Sequence, residues 1–143
     1  MGNGLWNKFV AYFGIPRPSK TMPVTMKDRI LDWLSRLDER EMVPEEISAL
    51  YVGMFETPEG YSLYLTGAVE YDADDDWACD QDYEPAEKYL PLPTSEIGEM
   101  GWEEFRKEAI AAVSEYIHKF PDSKMFNRIV AAGFDDGDLE RIK

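Results

Sequence analysis

Residues 47–71 read ISALYVGMFETPEGYSLYLTGAVEY, and this stretch decides the fold class. Two runs rich in Tyr, Val, Leu and Phe, Ile47–Glu56 and Tyr61–Tyr71, flank Thr57-Pro58-Glu59-Gly60. Proline at the second turn position and glycine at the fourth suit a type I hairpin turn followed by a bulge. In the second run Tyr61, Leu63, Leu65, Val69 and Tyr71 share one face and alternate with Ser62, Thr66 and Glu70. That period of two marks a half-buried antiparallel strand. The first run is apolar on both faces, which predicts a central strand.

Working outward, the aspartate-rich stretch Asp72–Asp76 reads as a loop, Trp77–Tyr83 as a short third strand, and Tyr89-Leu90-Pro91-Leu92-Pro93 as an extended connector. Trp102–Phe120 is predicted as the longest helix, with Trp102, Phe105, Ala109, Val113, Tyr116, Ile117 and Phe120 on its inner face. The tail has two readings. Met125, Phe126, Ile129 and Val130 fit a helix stopped by Gly133, whereas Arg128–Phe134 and Leu139–Lys143 fit a type I′ hairpin around Asp136-Gly137. The Asp-Gly pair favours the hairpin.

Upstream, Thr25 caps a predicted helix with Asp28 three residues on, and Met26, Ile30, Trp33, Leu34 and Leu37 form its apolar stripe. Leu5, Trp6, Phe9, Val10 and Phe13 predict an earlier helix, ended by Gly14 and Pro16, and Ile15–Pro23 reads as a proline-rich connector. The expectation is a single α+β domain over residues 1–143, an antiparallel sheet with helices packed on one face, preceded by an N-terminal arm at residues 1–23.

The 143 residues suffice for one domain with a core of its own, burying roughly 68–70% of the unfolded-chain surface. One cysteine, Cys79, excludes an intramolecular disulfide and a cysteine-based zinc site. The apolar run at the N-terminus is short and broken by Lys8, unlike a signal peptide or membrane span, and Trp6 stands where a myristoylation motif wants Ser or Thr. These features predict a cytoplasmic protein with no membrane association. The net charge of −14 is uneven. Residues 1–40 hold seven basic and four acidic groups, residues 41–104 hold one basic group (Lys88) and eighteen acidic ones, and residues 105–143 hold seven of each. Such a middle repels nucleic acid and attracts cationic surfaces; the same charge also serves plain solubility.

Catalytic signals are weak. His118 is the lone histidine, near the end of the long helix, with no orienting partner at a recognisable spacing. Cys79, among carboxylates, is a poor nucleophile. Asp72, Asp74 and Asp76 match the first, third and fifth positions of a calcium loop, but Trp77 stands where Gly is required and Tyr83 where the bidentate Glu belongs. With 29 acidic residues, carboxylate pairing carries no information. There is no phosphate-binding glycine loop, no G-x-S-x-G and no H-E-x-x-H. The expectation is a non-enzymatic protein without metal or cofactor.

What remains is the mixture of acids and aromatics after the hairpin. Asp72, Asp74, Asp75, Asp76, Trp77, Asp80, Asp82, Tyr83 and Glu84 are the candidate partner-binding residues. Acids steer a basic partner, and Trp or Tyr anchors it. The competing expectation is a solvated loop with Trp77 turned into the core.

The Tyr-rich hairpin Leu50–Tyr71, the acidic Trp77-Ala78-Cys79 stretch and the tail Gly133-Phe134-Asp135-Asp136-Gly137-Asp138-Leu139 together resemble the small acidic immunity proteins that bacteria encode beside secreted toxins. The resemblance covers residues 47–143. It implies stoichiometric, tight, cytosolic inhibition of a cognate toxin, often a basic nuclease, and assigns no residue a role. Two alternatives stand beside it. One is an acidic decoy that mimics DNA; the other is a small metal-binding protein or enzyme using the Asp72–Asp82 cluster.

Overall fold

The chain enters its first helix through a reciprocal cap. The Asp28 backbone N–H donates to Thr25 Oγ1 at 3.1 Å, and the Thr25 N–H donates to Asp28 Oδ2 at 3.3 Å. Two of the donors orphaned at a helix start are satisfied in this way. In the computed structural model, which describes residues 24–72 and 74–143, helix α1 runs over Met26–Arg40 and buries Met26, Ile30, Trp33, Leu34 and Leu37, the stripe read from the sequence. The expected earlier helix and the Ile15–Pro23 connector lie outside the described residues.

Strands β1 (Ala49–Thr57) and β2 (Gly60–Ala68) form the expected hairpin. Their register is unbroken from Thr57↔Gly60 to Ala49↔Ala68, so the loop is the two residues Pro58-Glu59 and the expected bulge is absent. Gly60, at φ 154°, makes the tight return: a Cβ there would stand 2.7 Å from the Thr94 backbone nitrogen.

The third strand is not Trp77–Tyr83. That segment forms a 3₁₀ turn at Asp75–Cys79, and only Tyr83 returns to the sheet, as an isolated bridge to Gly67. Strand β3 is instead Tyr89–Pro93, the stretch read as a connector. Its prolines are tolerated because β3 is an edge strand, where one row of N–H groups has no ladder partner to lose. The short helix α2 (Thr94–Ile97) follows, then α3 (Trp102–Lys119), β4 (Ile129–Phe134) and β5 (Glu140–Arg141).

The sheet order is β3-β2-β1-β4-β5, which places β1 centrally as its doubly apolar sequence requires. Every pairing is antiparallel except β1 with β4. That exception follows from α3, which carries the chain across one face so that β4 enters beside β1 in the same direction; a tight turn cannot do this. The favoured tail hairpin is present as β4 and β5, with a loop of Asp135–Leu139 rather than a two-residue type I′ turn. Gly137 is not in the left-handed region such a turn demands, and its N–H donates to Phe134 O at 3.0 Å.

Helices α1 and α3 cover one face, meeting Leu50, Val52, Met54, Leu63, Leu65, Leu90, Leu92, Val130 and Ala132 in the main core. The inner face of α3 is narrower than the sequence pattern suggests. Trp102 and Phe120, at its two ends, overhang the sheet and are 54% and 46% exposed.

Candidate functional site

The acidic segment is a loop tied at its base. Gly67 and Tyr83 exchange backbone hydrogen bonds of 2.9 and 3.1 Å, and the Val69 N–H donates to Asp82 Oδ2 at 2.9 Å. Between these ties the 3₁₀ turn lays Trp77 on the face of the sheet opposite the helices. There it is 4% exposed, packed with Ala49, Tyr51, Ala68 and Ala131, its ring centroid 5.2 Å from that of Tyr71 and 6.4 Å from that of Tyr51.

The candidate residues therefore divide. Asp72, Asp74, Asp76, Asp80, Asp82 and Glu84 are exposed and share one loop. Trp77 is not a surface anchor: it is the floor on which the loop rests, because an indole this size buries more apolar area against the sheet than any other side chain in the segment. Tyr83 is also turned inward, half-buried, with its hydroxyl donating to Glu41 Oε1. Burial first, and then the Glu41 carboxylate, push its phenol well above the ordinary tyrosine range.

Charge pairing sets this loop apart. The cations of α1 are answered locally: Lys27 by Glu115 at 2.8 Å, Arg29 by Glu96, and Arg36 by Asp32 and Glu87. Lys88 reaches Glu84 at 3.2 Å and Gln81 at 3.1 Å. Among the described residues no ion pair engages Asp72, Asp74, Asp76, Asp80 or Asp82.

The same face carries a tyrosine cluster that the sequence reading missed. Tyr51 Oη donates to Gly133 O and Asp135 Oδ1, both at 3.1 Å, and Tyr64 Oη donates to the same Asp135 oxygen. The Tyr64 ring lies across Gly53, where a Cβ would meet it at 2.3 Å. Burial raises both phenols; Tyr64 and Asp135 add to the rise at Tyr51, and Asp135 adds to it at Tyr64, so both serve as neutral donors rather than as bases or nucleophiles. Their effect is to pin the β4–β5 loop to the central strands. Only the Gly53–Tyr64 opposition across the hairpin was there to be read in advance.

Cys79 is exposed on the turn above this face, and His118 is exposed on α3 beyond the other. A Cys-His pair is excluded by the intervening sheet. His118 Nδ1 lies 2.8 Å from Ser114 O, a contact within its own helix. Among the described residues, no group of three or more His, Cys, Asp or Glu side chains is placed to hold a metal ion, and no helix is long and apolar enough to cross a membrane.

A groove of about 690 Å³ opens at the first turn of α3, between Trp102, Glu103, Glu56, Phe134 and the β4–β5 loop residues Asp136 and Asp138. Arg106 stands in its wall, donating to Asp138 O at 3.3 Å and paired with Glu140 at 3.5 Å. Trp102 rests edge-on against Phe134, with ring centroids 6.0 Å apart. The chain matches no protein-family model, and no curated protein or solved structure matches it.

Proposed function

We propose that this chain is a non-enzymatic acidic binding protein that takes a basic protein as its partner, in the manner of an immunity protein inhibiting a cationic toxin. One observation carries the reading. Asp72, Asp74, Asp76, Asp80, Asp82 and Glu84 are exposed and, apart from Glu84, enter no ion pair among the described residues, while the α1 cations are consumed by internal pairs. Asp82 and Asp72 accept local backbone hydrogen bonds, but mounting so many like charges together on a loop braced by a buried Trp77 costs folding energy that these two bonds alone do not call for. A complementary cationic surface supplies the return by accelerating encounter and fixing orientation.

The test is capture of the partner from the native cell, followed by association kinetics at several salt concentrations. Replacing Asp74, Asp75 and Asp76 with Asn is expected to lower the on-rate several-fold at low salt and flatten its salt dependence, with little change in the off-rate. A captured toxin should lose its activity at one equivalent of this protein. An acidic or neutral partner, or rates indifferent to both salt and the triple substitution, would reject the proposal.

A further inference from the structure

We infer that the groove at the first turn of α3 receives an arginine side chain, with its flanking backbone, from a basic protein partner. The inference rests on the reading of a basic partner and adds where its anchor seats. Of the described tryptophans, Trp33 and Trp77 are 0% and 4% exposed, whereas Trp102 is 54% exposed at the mouth of a cavity. It is also held firmly. Trp102 sits edge-on to Phe134, Phe134 packs on Phe105 at 6.1 Å, and Phe105 stacks on Tyr61 at 4.2 Å. This column of rings runs from the surface into the core, so the exposed indole is presented without freedom to lose on binding.

The walls specify the charge of the occupant. Glu56, Glu103, Asp136 and Asp138 line the groove, and none of the four enters an ion pair among the described residues. The one cation in the wall, Arg106, is engaged by Asp138 O and Glu140. An exposed indole face beside several carboxylate oxygens matches a guanidinium, which stacks on aromatic rings and donates to carboxylates in the plane of its fork. An ammonium has no such plane. The volume, about 690 Å³, falls within the range of roughly 300–1,000 Å³ typical of ligand pockets and exceeds what one side chain needs. The backbone flanking the arginine accounts for the remainder. In this arrangement the acidic loop attracts at a distance and the groove holds at contact.

The probe is a blocked pentapeptide, Gly-Arg-Gly-Arg-Gly, titrated into the full-length protein labelled with ¹⁵N, beside its lysine and citrulline counterparts. The arginine peptide is expected to shift the Trp102 indole N–H and the amides of Glu103 and Asp136–Asp138 in a saturable way. The lysine peptide should bind at least three-fold more weakly, and the neutral citrulline peptide should not shift them. Trp102→Ala should weaken the arginine peptide about ten-fold while lowering the melting temperature by a few degrees and leaving the protein folded, and Glu103→Gln should weaken it about three-fold with the melting temperature within a degree or two of the parent. Shifts confined to Asp72–Glu84 overturn the groove and leave the basic-partner reading standing. Shifts nowhere at millimolar peptide overturn both. Equal shifts with the lysine peptide overturn the choice of arginine.

Discussion

On one side of the sheet, Trp33, Leu34, Phe105 and Phe126 lie with no exposed surface between two helices and the strands, within one large continuous cluster. On the other side, the buried set is Ala49, Tyr51, Ala68, Trp77 and Ala131, roofed by a loop that exposes Glu70, Asp72, Asp74, Asp76, Asp80 and Asp82. The same strands build both faces, because alternate residues of β1, β2 and β4 point opposite ways. The helix side has the area to hold the fold. The loop side has enough to hold a shape in place, and what it holds is a charged surface. The helix side thus carries most of the buried area and the loop side carries a charged surface on a small core, and this division can be tested directly.

The largest effect is expected on the helix side. Phe105→Ala should cost about 4 kcal/mol in denaturant unfolding, since it removes a fully buried ring stacked on Tyr61. Trp77→Ala should cost about 3 kcal/mol and act locally. Hydrogen exchange should show protection lost over residues 69–84 while α1 and α3 retain theirs. If Trp77→Ala exposes the helices equally, the two faces form one cooperative unit and the division fails.

A smaller effect is expected in alkali. Tyr51 and Tyr64 have phenols raised above their ordinary 10.0, so what they contribute to stability is complete below pH 10. It is lost as pH rises beyond that, because the unfolded chain releases protons that the folded chain retains. The slope for either phenol is at most about 1.4 kcal/mol per pH unit, and the total contribution is smaller for Tyr64, which keeps part of its ring in water. Urea midpoints between pH 9 and 11 should fall less steeply in Tyr51→Phe than in the parent. An unchanged slope would mean that the Tyr51 phenol is not held buried in solution.

The smallest effect is a gain. Thr66, 1% exposed on the loop side opposite Tyr51, has a buried hydroxyl with no hydrogen-bond partner. Thr66→Val keeps the shape, removes the orphaned group and should stabilise by about 1 kcal/mol. A loss of stability would show that the hydroxyl is satisfied after all, and that the loop side is better built than its small core suggests.

The parts of this fold that were legible in the sequence are those decided within a few residues. The Thr25–Asp28 cap, the α1 stripe and the hairpin on Pro58-Glu59 each follow from local spacing and local turn chemistry. The misreadings arose where a distant neighbour overrides a local preference. Pro91 and Pro93 argue against a strand until it is known that β3 is an edge. The parallel β1–β4 pair depends on a crossover that no short window contains. In the candidate segment Asp72, Asp74, Asp76, Asp80, Asp82 and Glu84 are exposed as expected, but the sequence did not decide which aromatic rings turn inward. Trp77 was read both as an anchor and as a residue turned into the core, and it lies in the core; Trp102 was read as core and lies at the mouth of a groove. Nothing in either residue's immediate sequence separates them. The direction of each ring is fixed by Tyr51 and Ala131 in one case and by Phe134 in the other, all far along the chain.

The bridge between Gly67 and Tyr83 has a consequence for how the molecule can change. Because these two residues meet back to back, with Gly67 lacking a Cβ that would stand 2.8 Å from Ile47, the chain leaves the sheet after Ala68 and returns to it at Tyr83, almost beside its point of departure, as an Ω-loop does. Such a segment behaves as an interchangeable cassette. Doubling its length adds only about 0.6 kcal/mol of closure entropy, and its outward side chains can be rewritten without moving a strand. The charge pattern this segment displays could therefore be altered by editing a single stretch, provided that each version keeps an indole facing inward to seat it.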